Sequence, residues 1–96
     1  DIRNSGVEKV IKELKKHDCN LALYDPQANS EEINDTYNIY PNTKLNHNRY
    51  DGVIIAVAHE IFKTMGIKAI QGLCKKNHVI YDLKYLFSKE DVDLRL

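Results

Sequence analysis

Val53-Ile54-Ile55-Ala56-Val57-Ala58, led in by Tyr50-Asp51-Gly52 and closed by His59-Glu60, is the longest apolar run in the chain and decides how the rest is read. Its apolarity is continuous rather than alternating, which marks a strand covered on both faces, the situation of a parallel sheet. Leu21-Ala22-Leu23-Tyr24, stopped by Asp25-Pro26, reads the same way upstream, and Val79-Ile80-Tyr81, stopped by Asp82, reads the same way downstream. Helical spacing fills the intervals. Val7, Val10, Ile11 and Leu14 fall at i, i+3, i+4 and i+7 and define one apolar helix face. Ser5 followed by Glu8 reads as a capping box for that helix, and Lys12, Lys15, Lys16 and His17 crowd its last turn, where positive charge suits the dipole. Ser30 is expected to cap a short second helix carrying Ile33 and Tyr37, and the Asn-rich stretch 38–48 with Pro41 reads as loop. Ile61, Phe62 and Met65 predict a short helix bent at Gly66, and Ile67, Ile70, Leu73 and Cys74 continue helical spacing as far as Lys75-Lys76-Asn77. At the end, Val92, Leu94 and Leu96 alternate with Asp91, Asp93 and Arg95, as in a half-exposed edge strand.

Strand, helix, strand, helix at these spacings predicts βαβ units with right-handed crossovers, and so an α/β fold with a mainly parallel sheet, residues 1–96 forming a single domain. In such a fold an opening helix normally follows a first strand. The sheet is therefore expected to lack its first strand, which would lie immediately upstream of Asp1.

The composition narrows the function. The 96 residues carry 14 Lys+Arg against 14 Asp+Glu, which leaves no basic footprint for nucleic acid or an anionic membrane surface. The longest apolar run has six residues, far short of the roughly 20 a membrane span requires. Cys19 and Cys74 are too few and too far apart for a disulfide scaffold, so a reducing cytoplasm is expected and each cysteine reads as a small apolar residue. His17, His47, His59 and His78 show no metal-ligand spacing, and His59-Glu60 fails as the start of H-E-x-x-H because position 63 is Lys.

Open parallel sheets bind ligands beyond the carboxyl ends of their strands. That places Asp25, His59-Glu60 and Asp82-Leu83-Lys84, with the opening turn Asp1-Ile2-Arg3-Asn4-Ser5, on the candidate edge. Arg3 beside a helix N-terminus and Lys84 nearby suit an anionic ligand such as a nucleotide diphosphate. Plainer readings stand beside this one. Arg3 could be solvated or paired with Asp1, and Asp82 with Lys84 could be a structural ion pair. Asp25 before Pro26 could only shape a turn, and His59 could be a hydrogen-bonded structural residue. Tyr81 and Tyr85 read as packing residues rather than base-stacking ones. Neither G-x-G-x-x-G nor G-x-x-x-x-G-K-[ST] occurs, so the chain has no dinucleotide or triphosphate fingerprint of its own.

Asp1-Ile2-Arg3-Asn4-Ser5, Val10-Ile11-Lys12-Glu13-Leu14, Tyr24-Asp25-Pro26, the run from Tyr50 to His59 with Phe62-Lys63, and Val79-Ile80-Tyr81-Asp82-Leu83-Lys84 occur in the order and spacing of one family. Together they resemble the C-terminal, UDP-binding domain of the UDP-glucose/GDP-mannose dehydrogenases. Asp82-Leu83-Lys84 and the ending Asp93-Leu94-Arg95-Leu96 look most like the bacterial branch, of Vi-polysaccharide type, that oxidises UDP-N-acetylhexosamines to uronic acids for capsule or O-antigen. The resemblance implies a three-layer α/β/α Rossmann-like domain in a cytoplasmic enzyme that converts a sugar C6 alcohol to a carboxylate with two NAD. It also implies that NAD is held mainly by an N-terminal domain, that a catalytic cysteine lies outside these residues, and that the parent is a homodimer built through a central domain. On this resemblance Arg3 would reach the cofactor and Lys84 would contact the UDP-sugar, while neither Cys19 nor Cys74 matches the nucleophile. The fragment alone would be inactive. The alternatives are a receiver-like signalling module, which needs a phosphorylatable Asp ending its middle strand, and an α/β interaction domain without a ligand.

Overall fold

The computed structural model describes residues 6–95. The chain forms two compact units, Asp1–Leu45 and Asn46–Leu96. In the first, α1 (Val7–Lys16) buries Val7 and Ile11, one turn apart on the apolar face legible in the sequence. Gly6 with φ 83° occupies the N-cap position and offers no side-chain hydrogen bond. The cap expected at Ser5 lies outside the described residues. Lys15 and Lys16 do occupy the last turn, and Lys15 Nζ donates to the Tyr37 carbonyl. The second helix, α2 (Ser30–Tyr37), buries Ile33 and Tyr37 as expected. Its cap is Asn29 rather than Ser30: the Asn29 side chain accepts the backbone N–H groups of Glu31 at 2.9 Å and Glu32 at 3.1 Å. Asn38, with φ 57°, ends the helix in the left-handed conformation that Asn tolerates better than most residues.

Leu21 to Tyr24 is not a strand. The segment has no place in the sheet among the described residues. Apolarity made it a candidate, but a strand exists only where a neighbour completes its ladder. The Asn42 N–H donates to the Leu23 carbonyl at 2.7 Å.

The second unit contains the sheet. Strands β1 (Tyr50–Ile55), β2 (Cys74–Asp82) and β3 (Leu94–Arg95) lie in the order β1-β2-β3, all parallel. Helices α3 (Glu60–Met65) and α4 (Ile67–Gly72) supply the connection between β1 and β2, split at Gly66 as the sequence predicts. Gly66 sits at φ 85° and ψ 158°, a region only glycine enters readily, so the break is written into the backbone.

The strand limits differ from the sequence reading for reasons of pairing. β1 ends at Ile55, not Ala58, because its partner β2 ends at Asp82, opposite Ile55. β2 begins at Cys74, which pairs with Tyr50, so Cys74 opens a strand instead of continuing a helix. Between that pair and the next, Gly52 with Val79, the register shifts to accommodate the polar residues Lys75 to His78. β3 takes the edge position expected of it.

Ile55, Ile70, Cys74 and Ile80 form the core of this unit, with Val53, Met65, Ile67, Leu86, Phe87 and Val92 packed around them. On the strands themselves Ile55 and Ile80 are buried while Ile54 and Val79 are exposed, so the expected burial of both faces is met on one face only. Continuous apolarity states what a strand could bury, not what covers it.

Candidate functional site

In a parallel sheet every strand ends on the same side, and here the ends are level. Ile55 pairs with Asp82, and Asp82 pairs with Arg95, so the last residues of β1, β2 and β3 stand in one row. The Leu83 N–H continues the ladder one step further by donating to the Ile55 carbonyl at 3.0 Å. β3 is fastened to β2 from both sides at Ile80: the Ile80 N–H donates to Asp93 Oδ2 at 2.8 Å, and the Asp93 N–H donates to the Ile80 carbonyl at 3.0 Å.

Asp82 shapes the turn beyond that row. Its side chain is fully buried, with Oδ1 accepting the Lys84 N–H at 3.1 Å and Oδ2 accepting the Phe87 N–H at 2.8 Å. The carboxylate thus folds residues 83–87 over the strand end and leaves Lys84 and Tyr85 on the outside, both exposed. Tyr85 adopts φ 55°, uncommon for a residue with a bulky side chain. The Arg95 guanidinium carbon lies 4.1 Å from the centre of the Tyr85 ring. Among the described residues no carboxylate stands within ion-pairing distance of Lys84 or Arg95. The edge therefore presents two cations and an aromatic ring over a turn held from beneath, an arrangement suited to an anion attached to a ring system.

The sequence candidates divide accordingly. Lys84 is on the edge, and the ion pair with Asp82 that is its plainer reading does not form, since the carboxylate binds the backbone of Lys84 and not its ammonium. Tyr85 is not a packing residue; it is 58% exposed and lies under Arg95. Arg95 escapes sequence reasoning, because in sequence it is only a polar position on an alternating edge strand. His59 is the N-cap of α3 and its ring lies 5.9 Å from that of Phe62, a structural setting. Asp25 belongs to the first unit, where Oδ1 accepts the Gln27 N–H at 3.0 Å in a turn, and no strand ends at it. Arg3 lies outside the described residues.

Two other chemistries find no support. Cys74 is buried, its Sγ donates to the Ile70 carbonyl at 3.6 Å, and burial reinforced by the Asp93 carboxylate pushes its pKa up, the wrong direction for a nucleophile. A receiver-like role would need an accessible Asp ending the middle strand; β2 does end in Asp82, but both its oxygens are engaged and it is fully buried. Among the described residues no three His, Cys, Asp or Glu side chains are grouped as a metal ion would require, and no helix is long and apolar enough to cross a membrane.

Comparison with known proteins supplies the chemistry the geometry leaves open. The model of the UDP-glucose/GDP-mannose dehydrogenase family, UDP binding domain, matches residues 1–89. A UDP-N-acetyl-D-glucosamine 6-dehydrogenase of Salmonella typhi is 43% identical over 96 residues, which is 100% of this chain and 23% of the relative. The protein of the same name from Pseudomonas aeruginosa is 42% identical over the same 96 residues, again 23% of the relative. A UDP-N-acetyl-D-mannosamine dehydrogenase of Methanococcus maripaludis is 30% identical over 88 residues, or 88% of this chain and 19% of the relative. The chain thus spans about a quarter or less of the length of the curated relatives it matches. No solved structure matches it.

Proposed function

The chain belongs to the UDP-glucose/GDP-mannose dehydrogenase family, as its C-terminal UDP binding domain, and from that premise we propose that residues 1–96 form a single domain holding the nucleotide sugar in an NAD-dependent UDP-sugar 6-dehydrogenase. The observation that carries the proposal is the level row of parallel strand ends with Lys84 on the turn that Asp82 holds. A ligand diphosphate over that turn meets the Lys84 ammonium as a charge-assisted hydrogen-bond donor. The identity to two UDP-N-acetyl-D-glucosamine 6-dehydrogenases favours a UDP-N-acetylhexosamine oxidised at C6, and we propose the uronic acid as product, with polysaccharide biosynthesis in the cytoplasm as the setting.

Such an oxidation removes four electrons, so it consumes two NAD. The described residues do not fit that cofactor. Gly6 precedes α1, Gly52 lies within β1, Gly66 separates α3 from α4 and Gly72 ends α4, so no glycine-rich turn joins a strand to a helix. We propose that NAD is held mainly by an N-terminal domain of the parent enzyme and that Arg3 of this chain is a contact to it. The catalytic cysteine is likewise assigned to the rest of a homodimeric parent. This domain binds, orients and closes over the substrate.

Replacing Lys84 by Ala tests the proposal in the assembled enzyme. Loss of one charged hydrogen bond to the ligand corresponds to about 1–3 kcal/mol, or roughly 5- to 150-fold weaker UDP-sugar binding by calorimetry. An unchanged dissociation constant and unchanged turnover would contradict the assignment.

A further inference from the structure

Beyond Lys84, we infer that Arg95, lying over the Tyr85 ring, is a second phosphate-binding group of the same site, and that Tyr85 is its positioning residue. The inference rests on the nucleotide-sugar reading of the strand edge. Arg95 ends β3 in the same row as Asp82, and Lys84 and Tyr85 follow two and three residues after Asp82, so both cations and the ring share one edge.

The contact of 4.1 Å between the guanidinium carbon and the ring centre is that of a cation on an aromatic face. A cation–π contact commits none of the guanidinium N–H donors to a hydrogen bond, so they remain available to a ligand. That fork matches two oxygens of a phosphate, which a lysine ammonium cannot do. Among the described residues no carboxylate pairs with Arg95, so the fork is not already committed.

The second observation is the backbone. Tyr85 stands at φ 55°, where a bulky residue is strained and Gly or Asn would be at ease. The residue is also 58% exposed, so the strain is not offset by burial of the ring in the core. The exposed ring lies under the guanidinium instead. Strain retained to present an exposed ring to a cation is the pattern of a site rather than of a fold.

The test is titration of UDP and of uridine into the full-length protein and its variants, with thermal unfolding of each. Arg95→Ala should weaken UDP binding by about tenfold or more and leave uridine binding unchanged. Arg95→Lys should fail to restore it, because the ammonium has no fork. Tyr85→Gly should weaken UDP by about threefold with a thermal midpoint at or above that of the parent, and Tyr85→Phe should bind as the parent does. If UDP binds and Arg95→Ala binds it equally well, Arg95 has no part in the site and this inference alone is overturned. If Tyr85→Gly lowers the thermal midpoint and leaves UDP affinity intact, the ring is structural and its positioning role fails. If the parent binds no UDP at all, the reading of the whole edge fails with it.

Discussion

Asp82→Ala is expected to cost about 3–6 kcal/mol of folding free energy, the sum of two hydrogen bonds to a charged group at roughly 1.5–3 kcal/mol each, with little offset from water. The carboxylate is fully buried and accepts the N–H groups of Lys84 and Phe87 at 3.1 and 2.8 Å, so alanine leaves both donors without their partner. Against the roughly 5–15 kcal/mol that stabilises a domain, this is a large fraction, and at about 4–8 °C per kcal/mol the thermal midpoint should fall by well over 10 °C. Asp82→Asn keeps the shape and one acceptor oxygen but substitutes a donor for the other, so its loss should be about half as large. Urea unfolding followed by circular dichroism reads both values. A cost below about 1 kcal/mol for Asp82→Ala would show that the turn carrying Lys84 and Tyr85 is held by something else.

Ile80→Ala should cost about 2–5 kcal/mol, and Ile80→Val about 0.5–1.5 kcal/mol. Ile80 is 1% exposed on the central strand, within the cluster it shares with Ile55, Ile70 and Cys74, so truncation removes buried surface and leaves a cavity that the sheet cannot close by moving. Its neighbour Val79 provides the control. Val79 is 48% exposed on the opposite face, and Val79→Ala should stay within about 0.5 kcal/mol. Equal costs at the two positions, measured in the same denaturant series, would mean that both faces of β2 are packed.

These two residues also show how much of the fold is legible in the sequence. Ile80 sits in a short run of apolar residues between polar stops, and such a run announces a buried strand wherever its neighbours can complete a ladder. Leu21 to Tyr24 has the same appearance, yet no ladder forms there among the described residues, because pairing is a property of two segments and the sequence displays one at a time. The end of β1 departs from the apolar run for the same reason, since Asp82 on another strand determines where Ile55 stops.

The site is legible to a similar depth. Lys84 follows from a general rule about strand ends, which needs only the order of elements. Arg95 needs the register of β3 against β2 and the left-handed backbone of Tyr85, and neither leaves a mark in a sequence where Arg95 merely alternates with Leu94. The role of Asp82 is half visible: its place at a strand end can be read, but not that its charge is directed to the backbone beneath the site.

The most direct measurement is amide shift mapping of the isotopically labelled chain with UDP added to millimolar concentration, which detects binding even when part of the site lies elsewhere. The shifts are expected at residues 82–87 and at Leu94 and Arg95, beyond the carboxyl ends of the strands, with Tyr50 and Cys74 at the amino ends unmoved. Shifts centred on the amino ends, or none at millimolar UDP, would contradict a nucleotide-sugar site on this edge.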